Sequence, residues 1–184
     1  MTGFASRECG SVVVALLGLV LLGALAGSLA ILAHTELLIA GNFSAAQEAF
    51  YAAEAGLQIG VDDLTGAADW DAVVSGPHLS TFADGAAGGS RTMRDGSVLN
   101  LGDLTARLRG RVWRLFGFGP LSRLQVQPEI ESTTYIVIWI ADDEAADPDV
   151  VVLRAEGFGL GGTRRAVEAI MSRQRGLTSW REAR

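Results

Sequence analysis

From Ser11 to Ala33 the chain runs apolar without one charged side chain. A helix rises ~1.5 Å per residue and needs about twenty apolar residues to cross a bilayer core, so this run is long enough to span. From Gly41 to Leu64 the pattern changes. Phe43, Phe50, Leu57 and Leu64 recur at a seven-residue spacing, with Ala46, Ala53 and Val61 between them. Gln47, Glu48, Glu54, Gln58 and Asp62 fall beside or off that stripe. One apolar stripe at helical period predicts a helix with a single packed face, and the four large residues are expected to lay it on a sheet. Gly41-Asn42 is expected to bend the helix at the membrane boundary, and Thr65-Gly66 to end it.

Beyond the helix the pattern weakens, then turns to period two. Gly76-Pro77, Asp84-Gly85 and Gly88-Gly89-Ser90 mark loops. Leu101, Leu104, Leu108, Val112 and Leu115 recur at three- and four-residue steps and predict a short helix. Arg107, Arg109, Arg111 and Arg114 decorate it, close to Trp113, Phe116 and Phe118. Such a basic face either packs on its own domain with solvated arginines, lies on a membrane surface, or meets an acidic partner subunit. Tyr135–Ile140, Val150–Ala155 and Ala166–Met171 read as three short strands. The acidic stretch Asp142–Asp149 and the glycine-rich stretch Gly157–Gly162 separate them, which predicts an antiparallel meander. The expected fold class is α+β: a long N-terminal helix, membrane-spanning in its first half, packed on a small antiparallel β-sheet.

Charge orients this arrangement. Arg7 precedes the apolar run, and no basic residue follows until Arg91, after Glu36, Glu48, Glu54, Asp62 and Asp63. The positive-inside rule then expects the head in the cytoplasm and the C-terminal bulk outside. With 184 residues and a net charge of −6, about one globular domain remains beyond the span, and its acidity argues against nucleic acid as a partner. Cys9 lies before the apolar run, where a lipoprotein cysteine would not, and a lone cysteine forms no disulfide within the chain.

A secretory signal peptide has a shorter apolar region with a small-residue cleavage site after it. Here the candidate site, Cys9-Gly10-Ser11, lies before the run. The string Arg7-Glu8-Cys9-Gly10-Ser11-Val12-Val13-Val14-Ala15 resembles the start of PilX-type minor pilins of type IV pili. The resemblance continues at Ala49-Phe50-Tyr51-Ala52-Ala53-Glu54-Ala55-Gly56-Leu57, the more specific of the two blocks. It implies a prepilin leader over residues 1–10, cleavage between Gly10 and Ser11 by a prepilin peptidase, and a helix over 11–64 with its span at 11–33. The rest, 65–184, would be a periplasmic domain with a variable region at 66–128 and C-terminal strands within 132–173. Implied partners are the inner membrane, other minor pilins and the pilus assembly machinery. Major pilins carry a glutamate at the fifth mature position, where this chain has Ala15. Losing a carboxylate that costs on the order of 2.5–3.5 kcal/mol in hydrocarbon suits an initiating or tip subunit better than a shaft subunit. A non-polymerising bitopic protein with a periplasmic binding module, and a minor pseudopilin of type II secretion, are the alternatives.

Catalytic chemistry finds no footing in the pattern. His34 and His78 stand apart from any nucleophile signature, and GxSxG, HExxH and Cys/His clusters are absent, so no enzyme is expected. Gly157-Phe158-Gly159-Leu160-Gly161-Gly162 fits GxGxxG after a strand, but the chain from Thr163 to Arg184 leaves no room for a dinucleotide-binding unit, and a hairpin is expected. Asp142, Asp143, Glu144, Asp147 and Asp149 form a weak calcium candidate without EF-hand spacing; otherwise no cofactor is expected.

Overall fold

The computed structural model describes residues 5–124, 132–143 and 149–183, with side chains from Gly10 onward. The fold is α+β: a long N-terminal helix, apolar in its first part, and an antiparallel sheet. Helix α1 (Ala5–Gly66) supplies all of the helical residues of one compact unit, Met1–Phe43, and opens the second, Ser44–Arg184. Gly41 and Asn42 keep helical hydrogen bonding, and the helix ends at Gly66.

In the second unit, β3 (Arg114–Pro120), β4 (Tyr135–Asp142), β5 (Val150–Phe158), β6 (Arg164–Ser172) and β7 (Gly176–Ala183) form a five-stranded antiparallel sheet in chain order. The three strands read from the sequence are its centre. Strand β3 replaces the end of the expected helix, because α3 (Leu101–Arg107) stops at Arg107 and Gly110, at φ +83°, turns the chain. Val112 of the expected apolar stripe is 84% exposed. Strand β7 lies past the expected end of the strands at residue 173; it mixes Leu177 and Trp180 with polar residues without a period-two pattern and is exposed over most of its length, so no alternation announced it. The GxGxxG stretch is the β5–β6 hairpin, with Gly161 and Gly162 at positive φ. A small hairpin, β1 (Ser90–Thr92) with β2 (Val98–Asn100), adds a second sheet. Asp95-Gly96 at its turn is a hairpin signal that the sequence carries.

The five-stranded sheet has two covered faces. On one, Ala52, Ala53, Leu57 and Leu64 of α1 pack with Ile136, Ile138, Leu153, Ala155 and Val167, joined by Trp70 and Val73 of α2 (Trp70–Ser75). On the other, Met93, Leu101 and Trp113 cover Phe118, Val137 and Trp139. Asp69 caps α2 by accepting from Ala72 N, and Asn100 caps α3 by accepting from Asp103 N at 2.9 Å. Arg114, expected on a solvated helix face, instead donates to the carbonyls of Val73, Val74 and Gly76 at the end of α2.

Candidate functional site

The expected stripe of large residues packs in part. Leu64 and Leu57 are buried, and Phe50 is half-buried, its ring edge-on to Trp180 at 6.3 Å. Phe43 is a correction: it is 65% exposed and takes no part in the packing on the sheet. A strict seven-residue repeat drifts around a straight helix of 3.6 residues per turn, so residues at the ends of such a repeat leave the common face.

Small residues share the contact with Leu57 and Leu64. Ala49, Ala52 and Ala53 have no exposed surface. A Cβ on Gly56 would stand 2.4 Å from Ile136 Cγ2, and one on Gly157 of β5 would stand 2.1 Å from the Ala49 carbonyl oxygen. These residues are the body of the Ala49–Leu57 block, which therefore has a direct physical role: it removes side chains where helix and sheet backbones approach closely. Two helix carboxylates then tie down the adjoining loops. Glu48 Oε1 accepts from Ser132 Oγ at 2.6 Å and Thr134 Oγ1 at 2.8 Å. Asp63 accepts from Ser80 Oγ and from the amide and hydroxyl of Thr81.

In the N-terminal unit every large aliphatic side chain from Val12 to Ile39 is more than half exposed. A Cβ on Gly10, Gly18, Gly23, Gly27 or Gly41 would meet nothing within 4 Å. Ser28 Oγ and Thr35 Oγ1 donate to the carbonyls of Ala24 and Ile31, which satisfies both hydroxyls without water. By length and composition this helix is able to cross a membrane. Gly10 and Ser11 lie exposed on it, and Gly23/Gly27 present the small-xxx-small spacing that lets helices approach in lipid. The head residues 1–4 lie outside the described residues.

The acidic stretch is partly described. Asp143 pairs with Arg111 at 3.1 Å and Asp149 approaches Arg173 at 4.0 Å, while residues 144–148 lie outside the described residues. Among the described residues no group of three or more His, Cys, Asp or Glu is placed to hold a metal ion.

One buried constellation escaped the sequence reading. The strand register sets Trp139, Arg154, Glu168 and Arg181 in one row across β4, β5, β6 and β7. Arg154 Nε and Nη2 reach Glu156 Oε1 at 2.9 and 2.5 Å, and its Nη1 reaches Glu168 Oε1 at 2.6 Å. Arg181 closes the row on Glu168 Oε2 at 2.7 Å. Arg154, Glu156 and Glu168 are all buried. The alternation of Arg154 and Glu156 within an apolar strand was the available signal. Arg154, Glu156 and Glu168 line a cleft of about 840 Å³ together with Leu104, Leu108 and Trp113.

Burial works to raise the Glu168 carboxyl, but Arg181 and Arg154 outweigh it and hold Glu168 below its ordinary 4.5. The stability this pairing contributes is present above pH 4.5 and is lost as pH falls through the lowered value. Arg181→Met is therefore expected to lower the thermal midpoint at pH 7, and the gap from the parent protein to close as pH drops below 4.5. Paired melting curves between pH 7 and pH 3 measure it; a gap independent of pH would show that the ion pair is not its cause. A second buried group, the Tyr135 phenol, donates to Asp84 Oδ2 at 2.7 Å, and Arg91 holds Asp84 Oδ1 at 2.9 Å. Burial and the Asp84 contact push this phenol far above its usual range.

No family model matches the chain, and no curated protein or solved structure matches it either.

Proposed function

We propose that this chain is a minor pilin of PilX type, which helps initiate or cap a type IV pilus. The head is removed between Gly10 and Ser11 by a prepilin peptidase. The mature helix waits in the inner membrane with the C-terminal unit in the periplasm, then enters the pilus through the assembly machinery alongside other minor pilins. The function is helix packing and subunit contact, with no catalytic step.

One observation carries this reading. A helix that leaves its apolar residues bare from Val12 to Ile39 continues into a segment keyed onto a sheet by Ala49, Ala52, Ala53 and Gly56. A bare apolar helix is stable in lipid or against other apolar helices, and in both places Gly18, Gly23 and Gly27 offer close approach. Ala15 leaves the span free of charge at the position where a shaft subunit carries a carboxylate, which favours a place at the start of the filament.

Mass spectrometry of protein extracted from membranes tests it. In cells that carry a prepilin peptidase, the parent chain is expected to begin at Ser11, and a Gly10→Leu variant to keep its head and fail to appear in sheared surface fibres. An intact Met1–Gly10 head on the parent chain would overturn the reading in favour of a permanent bitopic anchor.

A further inference from the structure

The cleft on the sheet face away from α1 has a charge pattern that packing does not account for. Arg154, Glu156 and Glu168 of the ionic network line it, and Arg165, also in its lining, pairs with Glu182 at 3.3 Å. Three further guanidiniums stand around it: Arg107 at the end of α3, Arg109 in the turn that follows, and Arg164 at the start of β6. All three are exposed, and among the described residues none makes a side-chain hydrogen bond or ion pair. The cleft's five arginines, 107, 109, 154, 164 and 165, face three glutamates, 156, 168 and 182, which leaves it with a net charge of +2 in a chain whose net charge is −6.

Three unpaired arginines converging on one concavity hold each other at a Coulombic disadvantage that an anionic occupant relieves. Guanidinium forks suit carboxylates, each bond charge-assisted and often bidentate. The lining adds the apolar surface of Leu104, Leu108 and Trp113. The volume, about 840 Å³, lies in the range of ligand-holding clefts and admits several residues of extended peptide. A mixed wall of arginines and apolar side chains fits alternating acidic and apolar residues better than a bare phosphate, which would leave Trp113 and the leucines without a partner. The paired lining contributes rigidity: Arg154 is already committed to Glu156 and Glu168, so the occupant is held by the unpaired arginines.

We infer that this cleft binds an acidic, apolar-interleaved segment of a partner polypeptide, with Arg107, Arg109 and Arg164 as its carboxylate-gripping residues. The inference stands apart from the pilin reading, since the same cleft would serve a chain that never enters a filament.

The test uses the full chain in detergent micelles and a capped peptide alternating glutamate and leucine, with its glutamine counterpart and inorganic phosphate as separate titrants, followed by calorimetry. The glutamate peptide is expected to bind, with affinity falling as salt rises, and the glutamine peptide to bind at least tenfold more weakly. The variant R107Q/R109Q/R164Q changes only exposed, unpaired side chains, so it is expected to keep the parent melting temperature while losing at least tenfold in affinity. Equal binding by parent and variant, no binding of the glutamate peptide, or binding of phosphate in preference to it would each overturn the inference. A second variant, Glu182→Gln, removes a negative charge beside Arg165 and is expected to tighten peptide binding; weaker binding would count against it.

Discussion

Gly157→Ala is expected to destabilise the C-terminal unit by about 3 kcal/mol or more, the upper end for overpacking a closed contact. The added Cβ would meet the Ala49 carbonyl oxygen at 2.1 Å, and Ala52 Cβ stands 3.1 Å away. The obstacle is helix backbone, which cannot rotate aside as a side chain can. Relief requires α1 to lift from β5, which would loosen Ala52, Gly56 and Leu57 together. For a chain of this size the thermal midpoint should fall by on the order of 10 °C. Two other glycines calibrate the measurement. At Gly60 a Cβ would meet Ile138 Cγ2 at 3.3 Å and Leu153 Cδ1 at 3.4 Å, and alanine gains up to about 1 kcal/mol of helix propensity, so Gly60→Ala should come out near neutral. At Gly66 nothing stands within 4 Å, and Gly66→Ala should leave the midpoint within a degree or two. If Gly157→Ala melts with the parent protein, the close approach of helix and sheet is wrong.

Arg154→Met is expected to cost about 3–5 kcal/mol, because it strands carboxylates that are already out of water. Glu156 Oε1 loses both of its bonds to the guanidinium, while Glu168 keeps Arg181. Glu156 is then left buried in the sheet without its cationic partner. The loss measures an uncompensated charge, not the worth of the network. Replacing Arg154, Glu156 and Glu168 together by methionine should therefore recover most of it, with Arg181 free to turn to solvent from its exposed position. Denaturant melts of the single and triple variants separate the two quantities. A triple variant as unstable as the single one would mean that the ionic row itself holds β5, β6 and β7 in register.

Both substitutions act on the same sheet from opposite faces. Gly157 governs how closely α1 lies on β5, and Arg154, three residues earlier on the same strand, anchors the charged lining of the cleft. Strand β5 is thus the element on which the helix contact and the candidate binding cleft both depend. The two faces draw on different physics. Close packing of small residues gives the helix side its precision of fit, and paired charges give the cleft side a rigid polar lining in place of an apolar layer.

Much of this molecule was legible as pattern. The uncharged run from Ser11 to Ala33 determined a helix able to span a membrane, since the length and polarity of a segment need no partner to be read. The apolar, β-branched run at 135–140 and the largely apolar runs at 150–155 and 166–171 determined the central strands, and Gly157–Gly162 the hairpin between the last two. The Ala49–Leu57 block was visible as a string, but its meaning was not. Leu57 packs on the sheet as its spacing suggested and Phe50 packs beside it, but the alanines and glycines between them, whose value lies in the backbone they bring close, were not legible as part of the contact. Phe43 shared the spacing and is exposed. Strand β3 and the fate of Arg114 were decided only by tertiary structure. Leu101 to Leu115 keeps a helical step in sequence, but the chain gains more by pairing 114–120 with β4 and by turning Arg114 onto the open carbonyls of α2. The charged row was likewise hidden, because Arg154, Glu156, Glu168 and Arg181 lie on three strands and only the register sets them side by side. Local periodicity reports which face of an element is apolar. What that face meets, and which charges the fold brings together, is a property of the packed sheet.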